Sequence, residues 1–190
     1  PLTITGCENP KPLDYTPPMA SAQVKSAILF AGLNTDGTTI VREKTSTRDH
    51  SERMLMALGA DIEVEQGDDG SRVITLTGKT PLKATDITVP GDISSAAFPL
   101  VAAAMTAGSD ITLVGVGLNP LRTGIIDALK ALGADITVDN MHEAGGEPVG
   151  DIRVKGSKLR GIDGLEVEPS TMIDEFPVFF CAAAIAKGTT

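Results

Sequence analysis

The chain has little of what builds covalent or metal-held frameworks, with two cysteines and two histidines in 190 residues. Cys7 and Cys181 lie far apart, and with His50 and His142 they make no CxxC or HExxH spacing. A disulfide scaffold and a metal site are therefore not indicated, and a reducing, cytoplasmic environment is expected. Basic charge is scarce too, 16 Lys and Arg against 25 Asp and Glu, for a net charge of −9. Nucleic acid and anionic membrane surfaces require a basic field, so neither is an expected partner. The longest apolar runs, residues 96–105 and 178–186, fall well short of the ~20 residues that cross a bilayer. No initiator Met or charged leader opens the chain; PLTITG is already strand-like and AKGTT stops where a strand should start, so both ends read as cut. P-loop, dinucleotide and Ser-His-Asp patterns are missing as well, since GVGLNP lacks the third glycine of a dinucleotide loop.

One further absence is local. PPMASAQVKSAILFAG, residues 17–32, reads as a helix entry with no acid in its first turn, and Lys25 stands there instead. The exposed N–H groups and dipole of a helix start favour negative charge, so this end suits a phosphate or carboxylate bound at Ser21, Ala22 and Gln23. The alternative is that Ser21 is only an N-cap.

What is present is an internal repeat. ALGADIEV at residues 57–64 returns as ALGADITV at residues 131–138. Ahead of each copy lie an apolar helix (residues 24–33 and 95–107), a strand and a second helix; after each comes a further strand, RVITLTG or DIRVKGS. The unit is helix, strand, helix, strand, strand, and a third copy starts at DEFPVFFCAAAIAKGTT. The second helix of each unit carries an amphipathic stripe, Ile125, Ala128, Leu129 and Leu132 in one case, and belongs on a surface. The first helix is apolar nearly all round and should be enclosed. The expected class is mixed α/β: repeated units of buried helices with sheets and outer helices around them. Pro90 and Gly91 break both periodicities and mark the expected boundary, giving domains 1–90 and 91–190. The Gly-rich tract at residues 139–150 reads as a solvated hairpin or loop with His142 on its surface.

Two further stretches carry chemistry. In KTSTRDHSER, Ser46 or Thr47 is expected to cap the second helix, yet Arg48 follows where a cation opposes the dipole. Arg48 fits if it forks onto a bound anion, with Lys25 as a second cation nearby, or if it pairs with Glu43, Asp49 or Glu52. Its counterpart in the next repeat is Arg122 of NPLRTG. In STMIDEFPVFFCAA, Asp174 and Glu175 open the third apolar helix, so one caps it, or one serves as a base with its pKa tuned by desolvation.

SAQVKSAILFAGL, STRDHSERML, PGDISSAAFPLVAAA, NPLRTG and MIDEFP together resemble the 5-enolpyruvylshikimate-3-phosphate synthases, in particular the bacterial class less sensitive to glyphosate, across essentially the whole chain. The resemblance implies an inside-out α/β fold of two lobes, each of three helix-and-strand units. It implies transfer of the enolpyruvyl group of phosphoenolpyruvate to the 5-hydroxyl of shikimate 3-phosphate in aromatic amino-acid biosynthesis, without a cofactor, by a monomeric cytoplasmic enzyme. Ser21, Ala22, Gln23 and Arg48 would bind shikimate 3-phosphate, and Asp174 would bind its ring hydroxyls and take the 5-hydroxyl proton. The family's Lys-Ser and Arg cluster, its Gly-rich loop and its C-terminal Lys, Glu and Arg residues fall outside this sequence. Residues 1–90 would then be the last unit of one lobe, and residues 91–190 one unit and the start of another of the second. Such a chain alone is expected not to turn over, and, because incomplete lobes leave apolar helix faces and strand edges uncovered, to oligomerise, aggregate or depend on the other segments. The related UDP-N-acetylglucosamine enolpyruvyl transferases are the alternative enzyme, disfavoured by SAQVKSA and STRDH; a folded, non-catalytic piece is the alternative without chemistry.

Overall fold

The alternation in TTIVRE and RVITLT sends every second side chain to one face, and both segments form strands with that face inward. In the computed structural model, which describes residues 3–190, the chain forms two units, one ending at Asp86 and the other starting at Ile87. The first unit runs β1 (Asp14–Tyr15), α1 (Ala22–Gly32), β2 (Thr38–Glu43), α2 (His50–Ala57), β3 (Asp61–Gln66) and β4 (Arg72–Thr77). Its sheet has the order β1-β2-β4-β3, with β1 parallel to β2 and the other pairs antiparallel. Leu29, Val41, Leu55, Ile62, Ile74 and Leu76 form its core.

The second unit runs α3 (Ile93–Met105), β5 (Asp110–Gly117), α4 (Gly124–Ala131), β6 (Asp135–Ala144), β7 (Glu147–Lys155), two 3-10 turns (Pro169–Thr171 and Ile173–Glu175) and α5 (Phe176–Ile185). Its antiparallel sheet has the order β5-β7-β6, so in both units the last strand of the repeat lies between the other two. Residues 139–150 are not a free loop but the bulged β6–β7 hairpin, and His142 on it is exposed. The Pro90–Gly91 joint lies inside this unit, where the Gly91 N–H donates to the Gly115 carbonyl at 2.7 Å and the Gly117 N–H to the Gly91 carbonyl at 2.8 Å.

The repeated ALGAD is a helix stop. Gly59 and Gly133 sit at φ 79° and 90°, a conformation cheap only for glycine. The next residue reaches back in each case, Ala60 N to Leu55 O at 2.9 Å and Ala134 N to Leu129 O at 3.0 Å, the six-to-one bond of a Schellman stop. A second glycine recurs after the last strand. A Cβ on Gly78 would lie 2.1 Å from the Thr35 carbonyl oxygen, and one on Gly156 would lie 2.0 Å from that of Thr106. In both units the turn after the first helix packs on backbone that has no room for a side chain. Gly78→Ala is therefore expected to cost at least the ~1–3 kcal/mol of an overpacked site, read as a lower denaturant midpoint for the first unit.

The bounds of the apolar helices differ from expectation. α1 and α3 begin two residues earlier than the apolar runs suggest, because Ser21 and Asp92 cap them, and α3 stops before Thr106 ahead of Gly108 at φ 79°. The apolar helices each keep one side uncovered, as expected where the lobes are incomplete: Phe30 of α1, Phe98 of α3 and Phe180 of α5 are 42%, 62% and 60% exposed.

Candidate functional site

Pro17 and Pro18 bring the chain into α1, and Ser21 stands at its N-cap with extended backbone, φ −154° and ψ 109°. Its Oγ accepts the Val24 N–H at 3.3 Å, so Ser21 does cap the helix. That bond satisfies one of the helix-start donors; the N–H groups of Ala22 and Gln23 have no acceptor within the helix. No acid occupies the first turn. Across from this end, Ala22, Gln23, Ser26, Arg48, His50 and Ser51 line one open groove of about 350 Å³. Ser21 borders the adjoining hollow of about 190 Å³ with Pro17, Pro18 and Glu43. The serines meet beside the groove, Ser26 Oγ lying 2.6 Å from Ser51 Oγ and donating to the Ala22 carbonyl at 2.8 Å. An oxyanion in this groove would meet backbone N–H donors, hydroxyls and a guanidinium together.

Neither Ser46 nor Thr47 caps α2. Ser46 Oγ donates to the Gly70 carbonyl at 2.9 Å and Thr47 Oγ donates to Glu43, while Asp49 takes the cap position without a side-chain cap bond. Of the acids considered for Arg48, Asp49 accepts from Arg53 Nε at 2.9 Å and pairs with Arg72 at 3.5 Å, and Glu43 and Glu52 face Lys25. Lys25 is not a cation of the groove. It is fully buried, with Nζ 3.2 Å from Glu43 Oε2 and 2.7 Å from Glu52 Oε1. Both Glu52 oxygens are buried, and the Lys25 ammonium is the close countercharge of this carboxylate. Burial pushes the Glu52 carboxyl above its ordinary value, against the pull of Lys25.

The equivalent corner of the second unit supplies its own negative charge. Asp92 caps α3 through the N–H groups of Ser94 and Ser95, at 3.3 and 3.1 Å. Arg122 then lies 3.1 Å from Asp92 and donates to Ser94 Oγ at 2.6 Å. Burial acts to raise the Asp92 carboxyl, but the Ser95 and Ser94 bonds and the Arg122 charge outweigh it and leave it below the usual range. Asp174 belongs to this unit, in the 3-10 turn ahead of α5, and its side chain is exposed. Neither it nor Glu175 caps α5 through its side chain; Glu175 is the buried acid, receiving the Ser94 hydroxyl. Among the described residues no cluster of His, Cys, Asp and Glu could hold a metal ion, and no helix is long and apolar enough to cross a membrane.

Ser21, Ala22, Gln23 and Arg48 thus come together in one unit, and Asp174 stands in the other. Sequence reasoning did not place Ser26, His50 or Ser51 at the groove. Their signal was in the spacing: Ser26 follows Ala22 by one helical turn, and Ser51 is in the first turn of α2.

Comparison with known proteins gives a consistent result. The family model for EPSP synthase (3-phosphoshikimate 1-carboxyvinyltransferase) matches residues 1–190. The 3-phosphoshikimate 1-carboxyvinyltransferase of Parvibaculum lavamentivorans is 56% identical over the whole chain, which spans 42% of that relative's length. Among solved structures, EPSP synthase from Acinetobacter baumannii superposes with a TM-score of 0.87 at 52% identity, over 97% of this chain and 41% of that one. The enolpyruvyl transferase NikO from Streptomyces tendae, at 21% identity over 85% of this chain and 36% of its own, shares the fold with a TM-score of 0.64. With its motifs, its repeated units and the match along its full length, the chain belongs to the EPSP synthase family.

Proposed function

We propose that this chain forms part of an enzyme that transfers the enolpyruvyl group of phosphoenolpyruvate to the 5-hydroxyl of shikimate 3-phosphate, with release of phosphate through a tetrahedral intermediate. Its share of the work is to hold the shikimate 3-phosphate. Ser21 and the N–H groups of Ala22 and Gln23 take the phosphate, Gln23 reaches toward the ring and phosphoenolpyruvate, and Arg48 supplies the countercharge. Asp174 binds the ring hydroxyls and accepts the 5-hydroxyl proton. Residues 1–90 are the last unit of one lobe, and residues 91–190 begin the other. The reaction needs no cofactor, and a monomeric enzyme in the cytoplasm, of the class less sensitive to glyphosate, goes with this reading.

One observation carries it, the contrast between the two repeats. The corner that holds Asp92 against Arg122 in the second unit has Ser21 in place of an acid at the helix start of the first. A helix start with unspent donors beside an arginine favours an anion from outside the chain. In the full-length protein, Arg48→Ala is expected to weaken shikimate 3-phosphate binding by roughly 1.5–3 kcal/mol, the worth of a charge-assisted bond. Calorimetric titration reads this directly, and unchanged affinity would return Arg48 to the scaffold.

A further inference from the structure

Arg48 lines the groove, but the residues on either side of it turn inward. Thr47 donates its hydroxyl to Glu43, and its carbonyl faces Lys25 Nζ at 3.4 Å. Asp49, 5% exposed, is gripped from α2 by Arg53 and from β4 by Arg72. Behind Thr47 stand Lys25, Glu43 and Glu52 at 0%, 6% and 1% exposure, one each from α1, β2 and α2. A buried ammonium carrying two carboxylates is a costly arrangement to build, since each desolvated charge must be offset by its partners. Here it joins the three elements that surround the segment 44–49, and of its members only Glu43 touches the hollow beside Ser21, while none lines the groove of Arg48.

We infer that Lys25, Glu43 and Glu52, acting through Thr47, are positioning residues that fix the Arg48 segment against the start of α1. This rests on the reading of that groove as the shikimate 3-phosphate site and adds the residues that shape it. With both flanking residues anchored, the guanidinium is presented from a backbone whose orientation is already set, so binding loses little conformational freedom there. The ordering is spread over three elements, and a change at Thr47 separates it from folding, because the core and the Lys25 ion pairs stay in place.

The test is a comparison of the full-length protein with its Thr47→Val and Thr47→Ser variants. Two quantities are measured: affinity for shikimate 3-phosphate by NMR titration, and amide hydrogen exchange over residues 44–49. Thr47→Val removes the hydroxyl that binds Glu43. It is expected to remain folded, to exchange faster in this segment and to bind on the order of tenfold more weakly, the scale of a lost bond to a charged group. Thr47→Ser is expected to restore both. Wild-type affinity and protection in Thr47→Val, or failure of Thr47→Ser to rescue, would overturn the inference. If the wild-type full-length protein does not bind shikimate 3-phosphate at all, the reading of the groove fails, and exchange alone decides the clamp: faster exchange rescued by serine supports it, and unchanged protection refutes it.

Discussion

Replacing Lys25 by Met is expected to remove about 3–5 kcal/mol from the stability of the first unit, the cost of taking one partner from a buried ion pair. Met keeps the length and most of the volume, so the loss comes from charge. Without the ammonium, Glu43 and Glu52 are left as two like charges away from water, and one of them must take up a proton for the unit to stay folded. The pH dependence follows from the direction of the Glu52 shift. Its carboxyl already lies above the ordinary 4.5 in the folded protein. The folded state therefore binds the Glu52 proton more tightly than the unfolded chain does. Its contribution to stability is complete below 4.5 and lost as pH rises through the folded value. The deficit of Lys25→Met should accordingly be largest at neutral pH and shrink in mild acid. Urea unfolding at both pH values measures it. A neutral-pH deficit under about 1 kcal/mol, the worth of an exposed pair, would show that the buried cluster is not what it appears from its geometry. The triple variant with Glu43→Gln and Glu52→Gln should recover much of the loss, since an uncharged buried set has no uncompensated charge.

Asp174→Asn in the full-length protein is expected to lower turnover by on the order of 10²–10⁴, the range of a general base removed from a reaction. The amide preserves shape and can still hydrogen-bond a ring hydroxyl, but it cannot take the 5-hydroxyl proton. Affinity for shikimate 3-phosphate should change far less than turnover, and that division distinguishes a proton acceptor from a simple binding group. Phosphate release under steady-state conditions, together with a binding titration, reads both quantities. Full turnover in the variant would remove Asp174 from the chemistry. Glu175 is the internal comparison: buried on Ser94 and linked through it to Arg122, it should affect stability when changed to Gln.

The repeat was legible because it is written in local chemistry. The ALGAD stops need glycine at positive φ, and the strands alternate, so both units could be outlined from the residues alone. The acid-free helix start was legible for the same reason. Lys25 was misread because charged side chains are seldom buried unless paired, and pairing between residues 18 and 27 positions apart is invisible to periodicity. The patterns nonetheless held the answer. Lys25 shares the stripe of Leu29 and Gly32, Glu43 continues the inward alternation of Thr39 and Val41, and Glu52 lies one turn before Leu55. Three charges on three apolar faces imply that those faces meet. The cap of α2 was missed on similar grounds, since the hydroxyls of Ser46 and Thr47 are used by β2 and the turn at Gly70. The exposed faces of α1, α3 and α5 were legible too, since helices apolar nearly all round need more neighbours than one incomplete lobe supplies.

The most direct measurement of the central claim is made in a chimera. The 190 residues replace the matching segment of a full-length 3-phosphoshikimate 1-carboxyvinyltransferase relative, and phosphate release from phosphoenolpyruvate is followed with and without shikimate 3-phosphate. The expected result is release that depends on shikimate 3-phosphate and is comparable to that of the parent. The Arg48→Ala chimera is expected to lose binding and the Asp174→Asn chimera to lose turnover. A folded chimera that releases no phosphate, or one in which both substitutions leave the reaction unchanged, would contradict the claim.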